Sequence, residues 1–600
     1  MDKGSGSAHS CGNPLLHVVQ TITLSRQLSG IDVDLYVRAG NELVHPLRDE
    51  HGITFEAGGI ATFDTYFNAL TVAPWKKYGR LDDLHLVLFG HGRYLIRFGV
   101  HRLGREPLWM DEQAIDVDGG IQLQIPVWPD LSDGILFFAL ESLTHGRIEG
   151  GHFATSTEPR PHTKLGIVIT HFNRKEYVIP AIARIRSELL SDPLYRGKID
   201  LAVIDNSSSI EPSEAAGVTV IPNRNVGGSG GFARGLLHFA DEGTFTHCLF
   251  MDDDASCEIE SIRRAYHLLS FCPPEARVAI AGSLMRERAP SVLHEKGGSY
   301  EAGNWIPVGK GLDMRNVRDL LEAEYGTKSP NFGAWWFFAF PIRAVRHYPF
   351  PFFVRGDDAL FSLQNEFELV TLNGIGCWGE DFELKDGTFT RYFGFRGTSV
   401  VALLTLSERC ITWTIFRQFT RWCLTALFSY NYASSQAVCC AMRDVLSGPQ
   451  FFIDNVDTST VRAQLARIDS AERARSVAEL SEAVDYPAAV TERPSQTLLR
   501  WLTLNGLLLP NALMKDRTVV QKKAYRASFR QVFRYRAIQY EDDRLGVIKV
   551  APHDKRAIIA GLGRYAAISI RVLLKTRSVQ HAYRANVDRM TSERFWREHG

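Results

Sequence analysis

The sequence predicts an α/β protein with an open, Rossmann-like sheet between a β-sandwich or barrel domain and a mostly helical C-terminal domain. Three observations predict this arrangement. Residues 15–157 read as short strands and turns, residues 164–400 alternate apolar strands with helices, and residues 401–600 show helical patterns. Residues 1–14 are rich in Gly and Ser, and we expect them to form a disordered tail.

Composition limits the class of protein. The chain has 600 residues, zero net charge, 45% hydrophobic and 23% charged residues, which is ordinary for a soluble protein of several domains. Its nine cysteines are scattered without a zinc-site spacing, so we expect reduced thiols in a cytoplasmic protein. We see no signal-peptide pattern and no apolar run of about 18 residues, so we expect no spanning helix.

The predicted β-rich domain contains alternating or β-prone runs bounded by Gly, Asp and Pro, for example at 84–89, 93–100 and 121–127. Two further stretches, 63–69 and 75–78, combine aromatic and polar residues. Aromatic rings can pack against the C–H faces of a sugar, but they more often form a cluster at the edge of a sheet. Both interpretations stay open.

The predicted α/β domain follows a linker, 156–163, and its strands are continuous apolar runs, as in parallel sheets. An open sheet of this kind binds ligands beyond the carboxyl ends of its strands. Asp205 and Asn206 end the second strand, where they could contact a base or ribose, or could simply form a turn. The predicted strands are 165–171, 199–206, 218–222 and 247–251, with helices over 177–190 and 232–240.

A glycine-rich turn, Asn225 to Gly231, precedes the helix 232–240. Its glycines allow the backbone to approach a nucleotide closely. Arg174 and Arg234 could meet the charge of phosphates. The turn matches neither the dinucleotide-binding motif nor the phosphate loop, so by itself it is weak evidence.

Three consecutive carboxylates, Asp252, Asp253 and Asp254, follow the fourth strand. Adjacent like charges repel, and a divalent cation that prefers hard oxygen ligands, Mg²⁺ or Mn²⁺, would stabilise them. If Met251 points into the core, strand alternation places Asp252 and Asp254 on one side and makes them the better metal pair. The alternative is an acidic turn that caps the helix predicted at 259–269.

Aromatic and acidic clusters occur later in the same domain. Trp335 and Trp336 lie in an aromatic stretch, 331–340, that could form a sugar platform or part of the core. Asp357 and Asp358 follow an apolar run. They are candidates for a general base, because a glycosyl acceptor hydroxyl must lose its proton as the new bond forms.

The order of these motifs resembles that of inverting family 2 glycosyltransferases, which have the GT-A fold. Within that family, the sequence resembles galactofuranosyltransferases that build galactan and that also have a β-rich N-terminal domain. The resemblance spans about residues 60–450. It is carried by Phe172-Asn-Arg174, Ile204-Asp205-Asn206, Asn225 to Phe232, Phe250 to Asp254, Trp335-Trp336, Gly356 to Ala359 and Trp378.

The resemblance implies inverting transfer of a sugar, above all galactofuranose, from a UDP donor to a glycan or lipid-linked glycan acceptor in cell-surface polysaccharide synthesis. It implies that Asp252 and Asp254 hold Mn²⁺ or Mg²⁺, and that Asp358 is the base with Asp357 beside it. The residues implied for the acceptor are Trp335, Trp336 and Glu380. Those implied for the nucleotide sugar are Thr170, Phe172, Arg174, Asp205, Asn206, Asn225, Gly228, Arg234 and Asp253.

The sequence departs from the family at one position. The family commonly has a Trp-His pair after the base, with His as a metal ligand, whereas here Trp378 is followed by Gly379. Glu380 or Asp381 could take its place, two carboxylates with waters could suffice, and His294 is a further candidate. Two alternative functions therefore stay open: a catalytically decayed carbohydrate-binding or scaffolding protein, and an enzyme of this class with another donor, such as a rhamnose nucleotide.

The end of the predicted helical domain is basic, with 20 Lys and Arg against 8 Asp and Glu from Met514 to Gly600. Within 564–577 one helical face is apolar and another is basic, which is typical of a helix on an anionic membrane and equally of ordinary packing. We therefore expect a cytoplasmic protein that could contact the inner face of the plasma membrane. No nucleic-acid-binding module is recognised, and a homo-oligomer stays open.

Overall fold

The computed structural model describes residues 15–24, 33–46, 52–380, 386–473, 484–485, 494–521, 527–542 and 546–600. Its strands form sheets of ten, seven, four, two and four strands in the part of the chain that is described. Helices connect and cover these sheets, so the predicted α/β class is confirmed.

The N-terminal strands form a single ten-stranded sheet. They are β1 (His17–Thr21), β2 (Arg38–Ala39), β3 (Val44–Pro46), β4 (Ile53–Phe55), β5 (Ile60–Thr62), β6 (Leu70–Thr71), β7 (His85–His101), β8 (Leu108–Gln124), β9 (Ile135–Ser142) and β10 (Gly146–Thr155), with the short helix α1 (Val72–Pro74). We predicted a sandwich or barrel here. The single sheet arises because β7 pairs with β10 through residues 85–91 and with β9 through residues 94–101.

The aromatic stretch 63–69 belongs to the core and is not a sugar-binding surface. Phe63, Tyr66 and Phe67 are fully buried. The Tyr66 hydroxyl donates to the Ile375 carbonyl oxygen at 3.3 Å. The stretch therefore joins the N-terminal sheet to the central region of the chain.

The central region is built around a seven-stranded sheet with the order β13-β12-β11-β14-β21-β16-β22. Strands β11 to β14 are parallel, and β21 is antiparallel to β14. A smaller sheet has the strand order β15-β23-β17-β18, and β19 and β20 form a separate two-stranded hairpin. The elements are β11 (Leu165–His171), α2 (Lys175–Ile185), β12 (Ile199–Asp205), β13 (Thr219–Pro222), α3 (Gly227–Glu242), β14 (His247–Asp252), β15 (Ser256–Cys257), α4 (Ile259–Phe271), β16 (Val278–Ala281), β17 (Ser283–Arg286), β18 (Ala289–Lys296), β19 (Gly298–Glu301), β20 (Asn304–Pro307), α5 (Val317–Tyr325), β21 (Phe338–Pro341), α6 (Asp357–Asn365), β22 (Glu368–Val370) and β23 (Gly376–Gly379).

The C-terminal region is mainly helical, and it contains a four-stranded sheet that the sequence analysis missed. Its elements are α7 (Thr388–Thr405), α8 (Glu408–Phe428), α9 (Tyr432–Val445), α10 (Gln450–Asp454), α11 (Ser459–Arg473), β24 (Val484–Asp485), α12 (Pro494–Leu502), β25 (Lys515–Gln521), β26 (Tyr535–Asp542), β27 (Gly546–Pro552), α13 (Lys555–Met590) and α14 (Glu593–His599). The charged residues within these strands hid the alternation that predicts a strand.

The 36-residue helix α13 is long and apolar enough to cross a membrane by length and composition, contrary to our expectation of no such helix. This evidence is weak, because core helices of soluble proteins pass the same test. One face of α13 is buried in the protein, including Val572, Val579 and Tyr583, which share a core with α7, α8 and α9. Other apolar side chains of the helix, such as Ile570 and Leu574, are exposed.

Candidate active site

The carboxyl ends of three adjacent parallel strands meet at one edge of the central sheet. In the strand register, His171 of β11 lies beside Asp205 of β12, and Thr170 lies beside Asp252 of β14. The residues just before this edge, 167–169, 201–204 and 248–251, are apolar and buried, and polar side chains begin at the edge. Ligands of open α/β sheets bind at such edges, so the fold brings the predicted residues of the first, second and fourth strands together.

The acidic triplet forms a network with Arg174. Strand β14 ends at Asp252, and Asp253 and Asp254 lie in the turn that follows. The Arg174 guanidinium lies 3.3 Å from an Asp253 oxygen and 2.6 Å from an Asp254 oxygen. The Phe172 backbone N–H also donates to Asp253, at 3.4 Å. Because the strand stops at Asp252, alternation does not separate the three carboxylates, and all of them face the same cleft.

Asp205 holds the turn that follows β12. One carboxylate oxygen accepts from Ser207, and the other accepts from the backbone N–H groups of Ser209 and Ile210 at 2.7 and 2.9 Å. Burial raises the pKa of Asp205, but these hydrogen bonds outweigh it and hold the pKa below its ordinary value. The turn interpretation thus describes what Asp205 does in this structure.

The structure extends the predicted helix 232–240 back to Gly227, so most of the glycine-rich turn forms the first turn of α3. The neighbouring amides hold it in place. Asn206 donates to the Gly227 carbonyl oxygen at 3.2 Å, and the Asn225 side-chain oxygen accepts from the Gly227 N–H at 3.2 Å. Gly227 has φ = +74°, and a Cβ there would lie 2.1 Å from the Phe353 carbonyl oxygen. Only glycine fits this close approach. Gly228 follows and lines the cleft.

Helix α14 supports the same turn from behind. A Cβ on Gly230 would lie 3.0 Å from the Trp596 ring. The Trp596 indole is buried and donates to the Pro349 carbonyl oxygen at 2.7 Å. Val226 packs in the same cluster. The glycine-rich turn is therefore enclosed by residues far away in the sequence.

The candidate base lies at the start of α6, opposite the glycine-rich turn. The Ser229 hydroxyl donates to the Asp357 carboxylate at 2.7 Å, and one Asp358 oxygen accepts from the Ala359 N–H at 2.8 Å. Burial raises the pKa of both carboxyls, and the charge of Asp357 further raises the pKa of Asp358, to about 7. The hydrogen bond from Ser229 opposes the rise in the pKa of Asp357.

The backbone before α6 is strained. Phe353 and Arg355 have φ values of +72° and +71°, in the left-handed region that non-glycine residues rarely adopt. The Phe353 carbonyl oxygen accepts from the Ser229 N–H at 3.1 Å. Such strain, which costs on the order of 1–3 kcal/mol per residue, is concentrated at functional sites. Here it turns the Arg355 side chain toward the two aspartates, where its charge opposes the rise in their pKa values.

Glu295 is a third carboxyl near the base, and the sequence analysis missed it. Burial and the charge of Asp358 raise the pKa of Glu295 to about 8, against the opposing effect of Lys310. Glu295 lies on β18 in the smaller sheet, outside the motif order that identified the other residues. No signal in the local sequence distinguishes it. Arg355, by contrast, directly precedes Gly356-Asp357-Asp358 and could have been chosen as a cation beside two carboxylates.

Two adjoining cavities meet at Asp358. We call the larger one, of about 500 Å³, the donor-side cleft, and the smaller one, of about 270 Å³, the base-side cavity. Asp358, Trp336, Arg355 and Thr390 line both of them. Of the predicted residues, the donor-side cleft contains Arg174, Gly228, Asp252, Asp253, Asp254, Trp335, Trp336, Asp357, Asp358 and Glu380.

Five of the residues implied to bind the nucleotide sugar do not line that cleft. They lie near it, at the carboxyl-terminal edge of the sheet: Thr170, Phe172, Asp205, Asn206 and Asn225. Arg234, a sixth residue of this set, does not line the cleft either. It is exposed on the outer surface of α3, and its charge acts on Asp241, two helical turns later on the same face. The helix directs Phe232, Ala233 and Leu236 inward, and the residue between them points to solvent.

The two tryptophans are fixed differently. The Trp336 indole N–H donates to the Gly282 carbonyl oxygen at 2.9 Å. Trp335 packs edge-on against Phe232 and Phe250 at ring-centroid distances of 5.0 and 5.2 Å, and its buried indole nitrogen has no hydrogen-bond partner in the described residues. Both are mostly buried and contribute to the core as well as to the cleft wall.

A metal ion at Asp252 and Asp254 would take only part of its ligands from the protein. Within the described ranges, no group of three His, Cys, Asp or Glu residues is placed to hold a metal ion. Gly379 supplies no side chain, His294 lines the base-side cavity instead, and Asp381 lies outside the described residues. The donor set of two carboxylates, with Glu380 on the same cleft wall, fits Mg²⁺ or Mn²⁺ completed by diphosphate oxygens and water.

Comparisons with known proteins agree with the motif analysis. The galactofuranosyltransferase GlfT2 of Mycolicibacterium smegmatis is 23% identical over 472 residues, covering 73% of this chain and 70% of that protein. GlfT2 of Mycobacterium tuberculosis is 24% identical over 445 residues, covering 66% of this chain and 67% of that protein. No family model matches the chain.

Among solved structures, glucosyl-3-phosphoglycerate synthase from Mycobacterium tuberculosis aligns with 40% of this chain and 79% of its own, at 14% identity and a TM-score of 0.25. A similarity this low carries no argument about function. The similarity to the two sequence relatives extends over about two thirds or more of both proteins. The chain is therefore a glycosyltransferase that resembles the galactofuranosyltransferases.

Proposed function

We propose that the protein is a metal-dependent, inverting galactofuranosyltransferase of GT-A fold that transfers galactofuranose from UDP-galactofuranose to a galactofuranose-containing glycan. The observation that carries this proposal is the position of Asp358, in the wall between two cavities. One cavity contains the acidic triplet, and the other contains aromatic and polar side chains. A general base must lie between donor and acceptor in this way to take the acceptor's proton.

The donor-side cleft would bind UDP and its sugar. Asp252 and Asp254 would hold Mg²⁺ or Mn²⁺, which supplies Lewis-acid stabilisation to the departing diphosphate. The bond between Arg174 and both Asp253 and Asp254 keeps the triplet in position. The glycine-rich turn at Gly228 brings backbone to the cleft without a side chain in the way.

The acceptor would enter from the base-side cavity. Its hydroxyl would donate its proton to Asp358, while its oxygen attacks the anomeric carbon from the face opposite the diphosphate. One displacement of this kind inverts the anomeric centre. A general base is most effective when its pKa lies near the pH at which the enzyme works, and the pKa of Asp358, about 7, suits a reaction near neutral pH. Arg355 would limit the build-up of negative charge beside the diphosphate.

The experiment is transfer from UDP-galactofuranose to a synthetic galactofuranose disaccharide in the presence of Mn²⁺, read by mass spectrometry of the product and by UDP release. UDP-galactopyranose and a rhamnose nucleotide serve as alternative donors. We expect transfer from UDP-galactofuranose, and a decrease in kcat of about 10²–10⁴-fold for Asp358→Asn. Asp588→Asn, which neutralises a carboxylate that is 87% exposed on α13, is the matched control.

Full turnover by Asp358→Asn would remove the base assignment. Transfer from the rhamnose nucleotide alone would assign another donor to the same site. Binding of UDP with Mn²⁺ without turnover on any donor would favour a catalytically decayed carbohydrate-binding protein.

A further inference from the structure

A third cavity continues from the base-side cavity toward the C-terminal region. We call it the distal cavity; its volume is about 760 Å³. It shares Trp305, Arg391 and Trp422 with the base-side cavity. The base-side cavity in turn shares Asp358 with the donor-side cleft. The three spaces therefore adjoin one another in a row that begins at the acidic triplet and ends between α8 and the segment before β26, and we call this row the path.

The wall between the base-side and distal cavities is held rigidly. The hairpin of β19 and β20 leans on α8, where the Gln418 side chain donates to the carbonyl oxygen of Gly303 at the hairpin tip. The Trp305 indole N–H donates to the Thr398 hydroxyl at 2.6 Å, and the Tyr300 hydroxyl donates to the Thr398 carbonyl oxygen at 3.1 Å. These bonds fix the Trp305 ring between the two spaces, so the path is a preformed feature of the fold.

The chemistry of the distal cavity suits a hydroxyl-rich ligand. Its side chains are two indoles, amides, hydroxyls and two arginines, and they include Asn304, Gln418, Thr425 and Ser528. Arg391 makes a two-pronged ion pair with Asp386, at 2.8 and 2.7 Å, so its charge is already compensated. Indole faces pack against the C–H faces of sugars, while amides and hydroxyls meet their hydroxyl groups.

We propose that this path is an extended acceptor site, in which the distal cavity binds sugar residues of the growing glycan that lie several units away from the reacting end. The proposal rests on the proposed function, because it requires that the acceptor is a glycan and that it enters through the base-side cavity. A long acceptor fills the base-side and distal cavities, whereas a disaccharide reaches no farther than the base-side cavity. The enzyme therefore binds long acceptors more tightly than short ones.

The experiment compares a galactofuranose disaccharide with a hexasaccharide as acceptors for the purified full chain with UDP-galactofuranose and Mn²⁺. Thr425→Trp fills the distal cavity from α8, and Ser528→Trp fills it from the opposite wall. Thr412→Trp introduces the same ring on α8 at a position outside the three cavities. KM and kcat are measured for both acceptors, and product lengths are read by mass spectrometry.

We expect the unchanged enzyme to have a lower KM for the hexasaccharide than for the disaccharide. Each cavity-filling variant should raise the hexasaccharide KM at least tenfold, shorten the products, and change the disaccharide kinetics less than twofold. The retained disaccharide activity also shows that the variant is folded, and Ser528→Trp decides the matter if Thr425→Trp does not fold.

Equal KM values of the unchanged enzyme for both acceptors would overturn the inference. So would hexasaccharide kinetics that match those of Thr412→Trp, or equal losses on both acceptors. Failure of the unchanged enzyme to transfer to either acceptor would instead overturn the proposed function, and this inference with it.

Discussion

The pair of adjacent aspartates at the start of α6 leads to a prediction about pH. Asp358 must be ionised to accept a proton, so activity should fall as the pH drops through its pKa of about 7. Asp357 raises that pKa through its negative charge. Asp357→Asn removes the charge and keeps an oxygen that can accept from Ser229. The substitution should therefore lower the pKa of Asp358 and extend activity to lower pH.

The size of the effect follows from Coulomb's law. Two carboxylates roughly 6 Å apart repel by about 2–3 kcal/mol at an effective dielectric constant of about 20. That energy corresponds to about 2 pKa units. Burial, the larger cause of the raised pKa, remains after the substitution. We therefore expect the acidic limb of the pH profile to move from about 7 to between about 5 and 6.

The assay is kcat/KM for sugar transfer between pH 4.5 and about 9 at constant ionic strength, because this ratio reports the ionisation of the free enzyme. The plateau at high pH should fall several-fold, since a weaker base removes the proton less effectively. Asp588→Asn should leave the profile unchanged. An acidic limb that stays in place, or that moves to higher pH, would refute the assignment of Asp358 as the base coupled to Asp357.

Three further predictions concern the metal, the glycine-rich turn and a buried ion pair. Chelation of divalent cations should lower transfer at least about 100-fold, with recovery on adding Mn²⁺ or Mg²⁺, because the departing diphosphate would otherwise meet the negative charge of the acidic triplet. Unchanged turnover in chelator would contradict this. Gly227→Ala should raise the donor KM and lower the melting temperature more than the control Gly243→Ala. Both glycines have positive φ, but only a Cβ at Gly227 would lie 2.1 Å from a carbonyl oxygen. Equal effects of the two substitutions would rule out the clash. Lys296→Met should lower the free energy of unfolding in urea by about 3–5 kcal/mol, because it leaves Glu324 buried without the charged partner that lies 2.8 Å away. The matched change at the exposed pair, Lys77→Met, should lower it by less than about 1 kcal/mol. A similar cost for both would show that burial is not the cause.

The sequence predicted best where physical patterns are local. Apolar strands ending in polar residues placed Asp252 and Asp254 at the correct edge of the sheet, because parallel strands align their carboxyl ends. The alternation argument for Asp253 did not apply, since β14 ends at Asp252 and a turn has no two-residue period.

Prediction was poorer where long-range packing decides the structure. Glu295 joins the site through the smaller sheet, and nothing in its neighbourhood in the sequence signals this. Arg234 looked like a phosphate ligand, but its helix turns it toward solvent. The stretch 63–69 combines polar and aromatic residues in the sequence, yet the structure buries it against the central region. There the Tyr66 hydroxyl reaches the Ile375 carbonyl oxygen.

The packing of Trp596 against the glycine-rich turn affects how the protein can be made and dissected. The turn and its supporting indole are separated by more than 360 residues of sequence. During synthesis on the ribosome, the central sheet can form long before residue 596 emerges, but the edge that we propose binds UDP lacks this support until then. A recombinant fragment ending near residue 400 should therefore be able to form the sheet but should bind UDP weakly. For the same reason, affinity tags are better attached at the N-terminus.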